Sequence, residues 1–582
     1  MPAHQVVIVG SGLAGMRAAL EVCQELDVAI ISKVHPSRSH SSAAQGGIAA
    51  AINNVPLEKP AMLEGQEVTV DSPDLHFYDI CKGGDFLVDQ DAAEMVANAA
   101  PEIVYGYEHY GVAFSRTPEG RIAQRAFGGH QAPRACYAAD RTGHALLHAL
   151  WEQVMKHRDR IKVYSEWVVL DVIVRDNVCT GLVVYDLRTG QLEVVRASAV
   201  LWATGGYGRV FRITTNAFAS TGDGTAIVYR NGLPIEDMEF MQFHPTGLWR
   251  QGILFSEGAR GEGAHLLNGL GERFMSRYAP NMMELAPRDI TSRAEQTEIE
   301  EGRGIDGKDY VYLDLTPIGR ERILERLPQI HQLVLNFVGV DCSEKPIPIQ
   351  PTAHYSMGGI PTTIKGEVVY NTQDGIVEGM FAAGECSCVS VHGANRLGVN
   401  SLLEATATGR MAGRTIREFV GKGRAIPDVP PGATDRARQE IDHLMNGGGR
   451  ESIADIRDTM KDVMMQKCGV YRTAEQLTEC RETIRELKDR FKHTSVQDRG
   501  KVFNTALTEA IELGHMLDCA ECIVEGALAR EESRGAHARR DFPNRDDERF
   551  LQHTFAYRTE SGPRLEYKPV TITRFQPQER KY

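Results

Sequence analysis

The opening 33 residues restrict the fold more than any other stretch. QVVIVG, at positions 5–10, is a short run of mostly β-branched apolar residues, the pattern of a buried strand. SGLAGMRAALEVCQEL follows with helical periodicity, and DVAIISK is a second apolar run of strand length. Strand, helix and strand fit within about 30 residues, the size of a βαβ unit. Between the first strand and the helix stands Gly10-Ser11-Gly12-Leu13-Ala14-Gly15. Glycines at this spacing permit a tight turn and let a pyrophosphate approach the helix N-terminus, whose free N–H groups and dipole favour an anion. A dinucleotide-binding α/β domain is therefore expected. The second strand ends Ile31-Ser32-Lys33, without the acid that usually holds an adenosine ribose, and this weakens a nicotinamide reading.

A chain of 582 residues is too long for one core, so several domains are expected. The net charge of −13 argues against a nucleic-acid surface, and an anionic substrate must meet local basic residues to overcome the overall field. No apolar run approaches 18 residues, which argues against a membrane span. MPAHQVVIVG enters a strand at once, with no basic leader or amphipathic presequence, so a cytoplasmic chain is expected whose membrane association comes from a partner. The eleven cysteines are scattered, and the C-x-x-C of Cys519 and Cys522 lies in a helical stretch with no second pair at zinc spacing and no run at iron–sulfur spacing. Reduced helical cysteines are the expectation, with any iron–sulfur centres carried elsewhere.

Further strand signals occur at 162–174, 179–187 and 198–211, the last running into the glycine turn ATGG. A second glycine-rich return spans 379–413, whereas about 240–350 lacks this pattern and reads as an insertion. A linker rich in Pro and Gly, 421–435, precedes a change to helical period. Ile453, Ile456, Met460 and Val463 share one helix face, and Leu477, Cys480, Ile484, Leu487 and Phe491 form another stripe opened by a Thr473/Gln476 capping box. The tail from about 536 is charged in both signs and reads as a short, mostly surface-lying module. The expected class is α/β (α+β multidomain). A split Rossmann-like unit (1–240 and 350–420) is interrupted by a capping domain (241–349), then followed by a helical domain (436–535) and a small C-terminal domain (536–582).

Two features carry chemistry. RSHSSAAQGGIAAA, at 38–51, sets His40 among residues small enough for the backbone to lie against a broad, flat ring system. Loops rich in Gly, Pro and Asn carry His244 (FHPTG), Ser256, Glu257 and Arg260 (SEGARGEG), Arg288 (APRD), His354 (TAHYSMGG) and Arg396 (HGANRLG). Arginine is charged at neutral pH and grips carboxylate through a planar fork. With the histidines and the hydroxyl, these arginines make a donor set suited to a small dianion, and two carboxylates on four carbons need such donors at both ends.

The runs KVHPSRSHSSAAQGGI, ADRTGHALLH, MQFHPTG, EGARGEG, ERFMSRYAP, HYSMGGIPT, VSVHGANRLG and ESRGAHARRDFPNRDDE together resemble the flavoprotein subunits of succinate dehydrogenase and fumarate reductase. The resemblance is dense and extends from the first strand into the C-terminal tail. It implies an FAD bonded covalently to His40 through the C8 methyl of the flavin. It implies further FAD contacts from Gly10, Ser11, Gly12, Leu13, Ala14, Gly15, Ser32, Lys33, Ser39, Ser41, Gln45, Gly46, Gly47, Asp223, Glu385, Ser401 and Leu402. Substrate carboxylates fall to His244, Ser256, His354 and Arg396, and the proton to Arg288, with Glu257 and Arg260 relaying it to solvent. Ser256 stands where Thr is common in the family, and the hydroxyl survives. The implied reaction is succinate to fumarate. Electrons would pass to an iron–sulfur subunit carrying 2Fe–2S and other clusters, then to quinone in membrane-anchor subunits. The implied location is peripheral, at the cytoplasmic side of a bacterial inner membrane. Quinol:fumarate reductase, the same chemistry reversed, is the alternative. The aspartate oxidases share the AQGGIAAA stretch but lack the covalent histidine.

Overall fold

The computed structural model describes residues 1–421 and 423–581. Its central sheet is built on strand β1 (Ala3–Val9), which leads through helix α1 (Leu13–Val22) to β2 (Val28–Ser32). Beyond β2 lie β3 (Ile161–Ser165), β4 (Trp167–Arg175), β5 (Val178–Asp186) and β6 (Gln191–Trp202). The expected strand at 162–174 is two strands, because Glu166 adopts φ +64° and breaks the ladder. β1 runs parallel to β2 on one side and to β6 on the other, with Val6 opposite both Val28 and Ala199. Val6, Val7 and Ile8 are fully buried. That is the condition of a parallel sheet covered on both faces, and it is why the strand reads as an unbroken apolar run.

After α2 (Asp223–Arg230) the chain leaves this sheet for β7 (Met241–Leu248), then α3 (Arg288–Glu298) and β8 (Ile347–Ser356). β7 and β8 pair antiparallel in a separate four-stranded sheet with Val311–Asp314 and His265–Leu267. β7 is an edge strand, which tolerates Pro245. β9 (Ile376–Ala382) returns to the central sheet beside β6, and α4 (Asn400–Val420) then crosses α1. The crossing is so close that a Cβ at Gly409 would meet the Ala14 carbonyl oxygen at 2.4 Å.

The helical stripes pack as expected. Ile456, Met460, Leu477, Cys480, Ile484 and Leu487 share one core with the 25-residue helix Thr505–Ala529. The Thr473 cap forms only half its box: its hydroxyl oxygen accepts from the Gln476 amide at 3.2 Å. The Gln476 side chain meets the Thr473 hydroxyl instead of reaching the Thr473 backbone N–H. All eleven cysteines are free and buried. No helix among the described residues is long and apolar enough to cross a membrane.

The tail from 536 lies mostly at the surface as expected, but charged residues at its start and just before it are buried. Arg530, Arg534, His537, Arg539 and His553 are buried. Glu532 pairs with Arg530 at 3.1 Å and with Arg534 at 2.8 Å, and Glu239 takes the other side of Arg530 at 2.8 Å. His553 meets Asp237 at 2.7 Å. Charges are buried here because each has an opposite partner, and composition alone does not reveal the pairing.

Candidate active site

A deep cleft opens where the central sheet faces β7 and β8, and it is lined by every site residue expected from the sequence except Gly15 and Arg260. Gly15 has a packing role, since a Cβ there would meet the Gly10 carbonyl oxygen at 2.1 Å. Arg260 lies behind Glu257.

One half of the cleft suits a dinucleotide. Gly10 takes φ +115°, and a Cβ would meet the Ala203 carbonyl oxygen at 2.1 Å, so only glycine lets the first turn pass the turn after β6. At Gly12 a Cβ would crowd the Ser39 and Ser41 hydroxyls at 3.1 and 3.2 Å. α1 has no side-chain cap and no acid in its first turn, leaving its N–H groups for an anion. α4 begins equally uncapped beside Ser401 and Leu402. The cradle therefore fits FAD. The end of β2 differs from simple expectation. The Ser11 and Ser32 hydroxyls bond each other at 2.7 Å. Lys33 spends all three ammonium protons on Thr221 at 2.7 Å, Asp223 at 2.6 Å and Glu512 at 2.7 Å. Asp223 also bonds His515 at 3.0 Å. Lys33 and Asp223 thus line the cleft with their charges already matched.

His40 sits where the two halves meet. Its Nδ1 accepts the Ala217 amide at 3.2 Å, and Asn216 Nδ2 lies 3.4 Å from Nε2. Burial lowers its pKa to about 4, so the imidazole is neutral at pH 7. Gly46 lies flat against Phe127, whose ring a Cβ would strike at 2.7 Å. Gln45 ties this run to the loop that carries Ser256. Its amide N–H donates to Leu254 O at 2.9 Å, and its carbonyl accepts from Ser256 N at 2.9 Å.

The other half is cationic. β7 and β8 bring the His244 and His354 rings to 4.8 Å, with register irregularities flanking Phe243 and His244. His244 Nδ1 accepts the Thr246 amide at 3.1 Å, which places the proton on Nε2. His354 Nδ1 bonds the Thr215 hydroxyl at 2.7 Å. Burial, then the Arg288 charge, holds both histidines well below the usual range, so they are neutral donors. Arg396 lies over the Tyr355 ring at 4.5 Å, and its Nε has no hydrogen-bond partner among the described residues. Burial and the Arg288 charge lower its pKa to about 9. The Ser256 hydroxyl oxygen accepts from Gly258 N at 3.0 Å, which leaves its proton free.

Arg288 occupies the first turn of α3, where the helix dipole opposes a cation. The Glu257 carboxylate offsets this, accepting from Arg288 Nε at 2.8 Å and lying 3.5 Å from Arg260 Nη2. Burial pushes the Glu257 carboxyl up, but the two arginine charges and the Gly128 N–H outweigh it and hold the pKa at about 2. Gln242 was not anticipated from the sequence. Its Oε1 accepts from Arg288 Nη1 at 3.0 Å, while its Nε2 donates to Asn395 Oδ1 at 2.8 Å and Arg396 O at 2.7 Å. One amide thus braces both arginine segments. Its only sequence signal is a position two before His244 in a strand, hence the same face.

A family model described as FAD binding domain matches residues 5–402, and one described as fumarate reductase flavoprotein C-term matches 457–582. The chain is 44% identical to the succinate dehydrogenase flavoprotein subunit of Rickettsia bellii, over 98% of this chain and 95% of the relative. It is 43% identical to the fumarate reductase flavoprotein subunit of Mycobacterium tuberculosis, over 100% and 99% of the two chains. The structure superimposes on an E. coli quinol fumarate reductase chain with a TM-score of 0.91, at 40% identity, covering 100% of this chain and 99% of that one. The chain therefore belongs to the succinate dehydrogenase and fumarate reductase flavoprotein family.

Proposed function

We propose that this chain is the catalytic flavoprotein subunit of a succinate dehydrogenase, oxidising succinate to fumarate. The observation that carries this reading is the Arg288–Glu257 contact of 2.8 Å, set beside Arg396, His244 and His354 in a cleft that also holds a dinucleotide cradle. We assign residues 1–240 and 350–420 to FAD binding, 241–349 to the cap, 436–535 to the helical domain and 536–582 to the C-terminal domain.

Bound FAD supplies the two-electron acceptor for the C–H bond being broken. His40 is the point of attachment: with Nδ1 occupied by the Ala217 amide, Nε2 is the nitrogen that carries the bond to the ring's C8 methyl. The chain's own residues do the rest. Arg396 and the neutral Nε2–H of His244 grip the substrate carboxylates, with His354 and the Ser256 hydroxyl completing the donor set. Neutral histidines suit this task, because two cationic rings beside two arginines would overcharge the pocket in the free enzyme. Arg288 gives a proton from Nε to Glu257 Oε2 and takes the substrate proton in its place, and Arg260 stands next in line. A guanidinium is a poor base in water. Glu257, 2.8 Å away, drains that Nε proton.

The electrons then leave through an iron–sulfur subunit carrying 2Fe–2S and other clusters to quinone held by membrane-anchor subunits. This places the chain peripherally at the cytoplasmic face of the inner membrane. Quinol:fumarate reduction uses the same residues in reverse. His40 sets the aspartate oxidases aside. The test is Arg288→Ala in the assembled enzyme. Succinate-dependent dye reduction should disappear while flavin fluorescence persists on the denatured chain, and retained turnover refutes the assignment.

A further inference from the structure

The proton path described above stops at Arg260, whose surroundings are unusual. Its Nη1 donates to the Glu284 carbonyl and its Nη2 lies 3.5 Å from Glu257, yet Nε and Nη2 have no hydrogen-bond partner among the described residues. Glu295 is fully buried, and neither of its carboxyl oxygens has a hydrogen-bond partner among the described residues. A buried orphan carboxyl is costly and calls for a reason. It is not a habit of this helix. Glu298, equally buried, bonds Asn268, Tyr278 and Arg303 at 2.7–2.8 Å.

Position explains the difference. Arg288 and Glu295 are seven residues apart on α3, two turns along one face and about 10 Å along the axis. Glu257 and Arg260 bridge the first part of that interval from the facing loop. Burial pushes the Glu295 carboxyl well above the usual range, and Arg260 is the charged group that opposes this. Burial without a hydrogen-bond donor among the described residues favours the protonated acid at Glu295, which then has a proton to give and room to take one back.

We propose that Glu295 is the fourth member of the proton path, exchanging a proton with Arg260 at the end away from the substrate. This rests on the reading of Arg288, Glu257 and Arg260 given above. Oxidising succinate to fumarate removes two hydrogens, one as hydride to the bound flavin and one as a proton to Arg288. The relay opens from its far end: Glu295 gives its proton to solvent water and is refilled from Arg260, Arg288 passes a proton through Glu257 to refill Arg260, and the vacated Arg288 takes the proton from the substrate. Each member accepts one proton and gives one up, so the four side chains are restored and a single proton leaves. In fumarate reduction the same steps run backward and Glu295 supplies the proton. Glu295 touches no substrate atom and acts through Arg260, so it is a positioning residue.

Glu295→Gln, made in the full complex, tests this. It replaces a neutral acid with a neutral amide of the same size, so folding should be spared. We expect kcat to fall about tenfold, at the low end of what a proton-transferring group supplies. KM, inhibition by malonate and covalent flavin content should be unchanged, and the D2O isotope effect on kcat should rise. kcat/KM must fall by one factor in both directions, because the reaction equilibrium is not the enzyme's to alter. Glu295→Asp should recover part of the loss. A wild-type kcat with a wild-type isotope effect overturns the proposal, as does a loss confined to KM or flavin content. If Glu295→Gln is normal while Arg288→Ala is dead, only the extension fails. If Arg288→Ala turns over, the parent reading fails with it.

Discussion

Gln242→Met isolates the brace between the two arginines. Methionine keeps the length and volume but removes one acceptor and two donors. The acceptor serves Arg288 Nη1 at 3.0 Å, a hydrogen bond to a charged group worth about 1.5–3 kcal/mol. If that orientation is needed only when Arg288 meets the reacting C–H bond, the loss appears in the barrier. At about 1.4 kcal/mol per tenfold, kcat then falls roughly 10- to 150-fold. The two lost donors leave Asn395 Oδ1 and Arg396 O unpaired in a buried site, each costing about 1–3 kcal/mol of stability. The assay is steady-state succinate oxidation with an artificial acceptor, on enzyme whose covalent flavin and melting curve are measured in parallel. Gln242→Glu is the companion. It keeps the acceptor for Arg288 but adds a negative charge to an anion site, so its defect belongs in KM. A Gln242→Met enzyme with full flavin and kcat within about threefold of wild type would refute the bracing argument.

Other consequences follow from the same site. Arg396 titrates at about 9 because burial and Arg288 destabilise its charge, and it loses its proton as pH rises through that value. kcat/KM for succinate, which reports the free enzyme, should therefore decline above about pH 9 more steeply than kcat, and a flat profile to about pH 10 contradicts this. His40→Ala should abolish the fluorescent flavin band on a denaturing gel. Because the His40 imidazole is neutral above its pKa of about 4, attachment in the wild type should be equally fast at about pH 6 and 8, and a strong slope would fail the idea. Glu532→Gln removes the charge shared by the buried Arg530 and Arg534, which keep Glu239 and Asp547, so the expected cost is about 1–3 kcal/mol, read as a lower urea midpoint. An unchanged midpoint would mean the arginines find other acceptors.

The residues legible beforehand were those whose requirement is local. Gly10 answers a turn and His40 a run of small neighbours, and both patterns fit within a dozen residues. The loops that meet in the cleft stood out because Gly and Pro flank them and because the family motifs are dense. Gln242 and Phe127 were not, since each matters only through partners far away in sequence: Arg288 and Asn395 for one, the run at Gly46 for the other. Glu295 gave no signal of its own. In RDITSRAEQTEIEE it looks like one more surface charge, and only the packing of α3 shows it buried and alone. The C-terminal arginines followed the same logic, with their acids supplied from Glu239 and Glu532.

The contacts of Lys33 also carry a consequence in time. Its ammonium waits for Glu512, which lies 479 residues later in the chain. Synthesis at roughly 5–20 residues per second puts about 25–100 s between the two. Throughout that interval a lysine destined for burial stands without its full set of anions, and the wall of the cleft beside Asp223 lacks its outer support. β1 waits too, first for β6 and then for β9 beyond it. The wall formed by Lys33, Asp223 and Glu512 is therefore complete only once the helix Thr505–Ala529 has been made. A chain truncated before the helix Thr505–Ala529 would keep the glycine turn, the histidine and both arginines, and still lack a completed vessel to hold them.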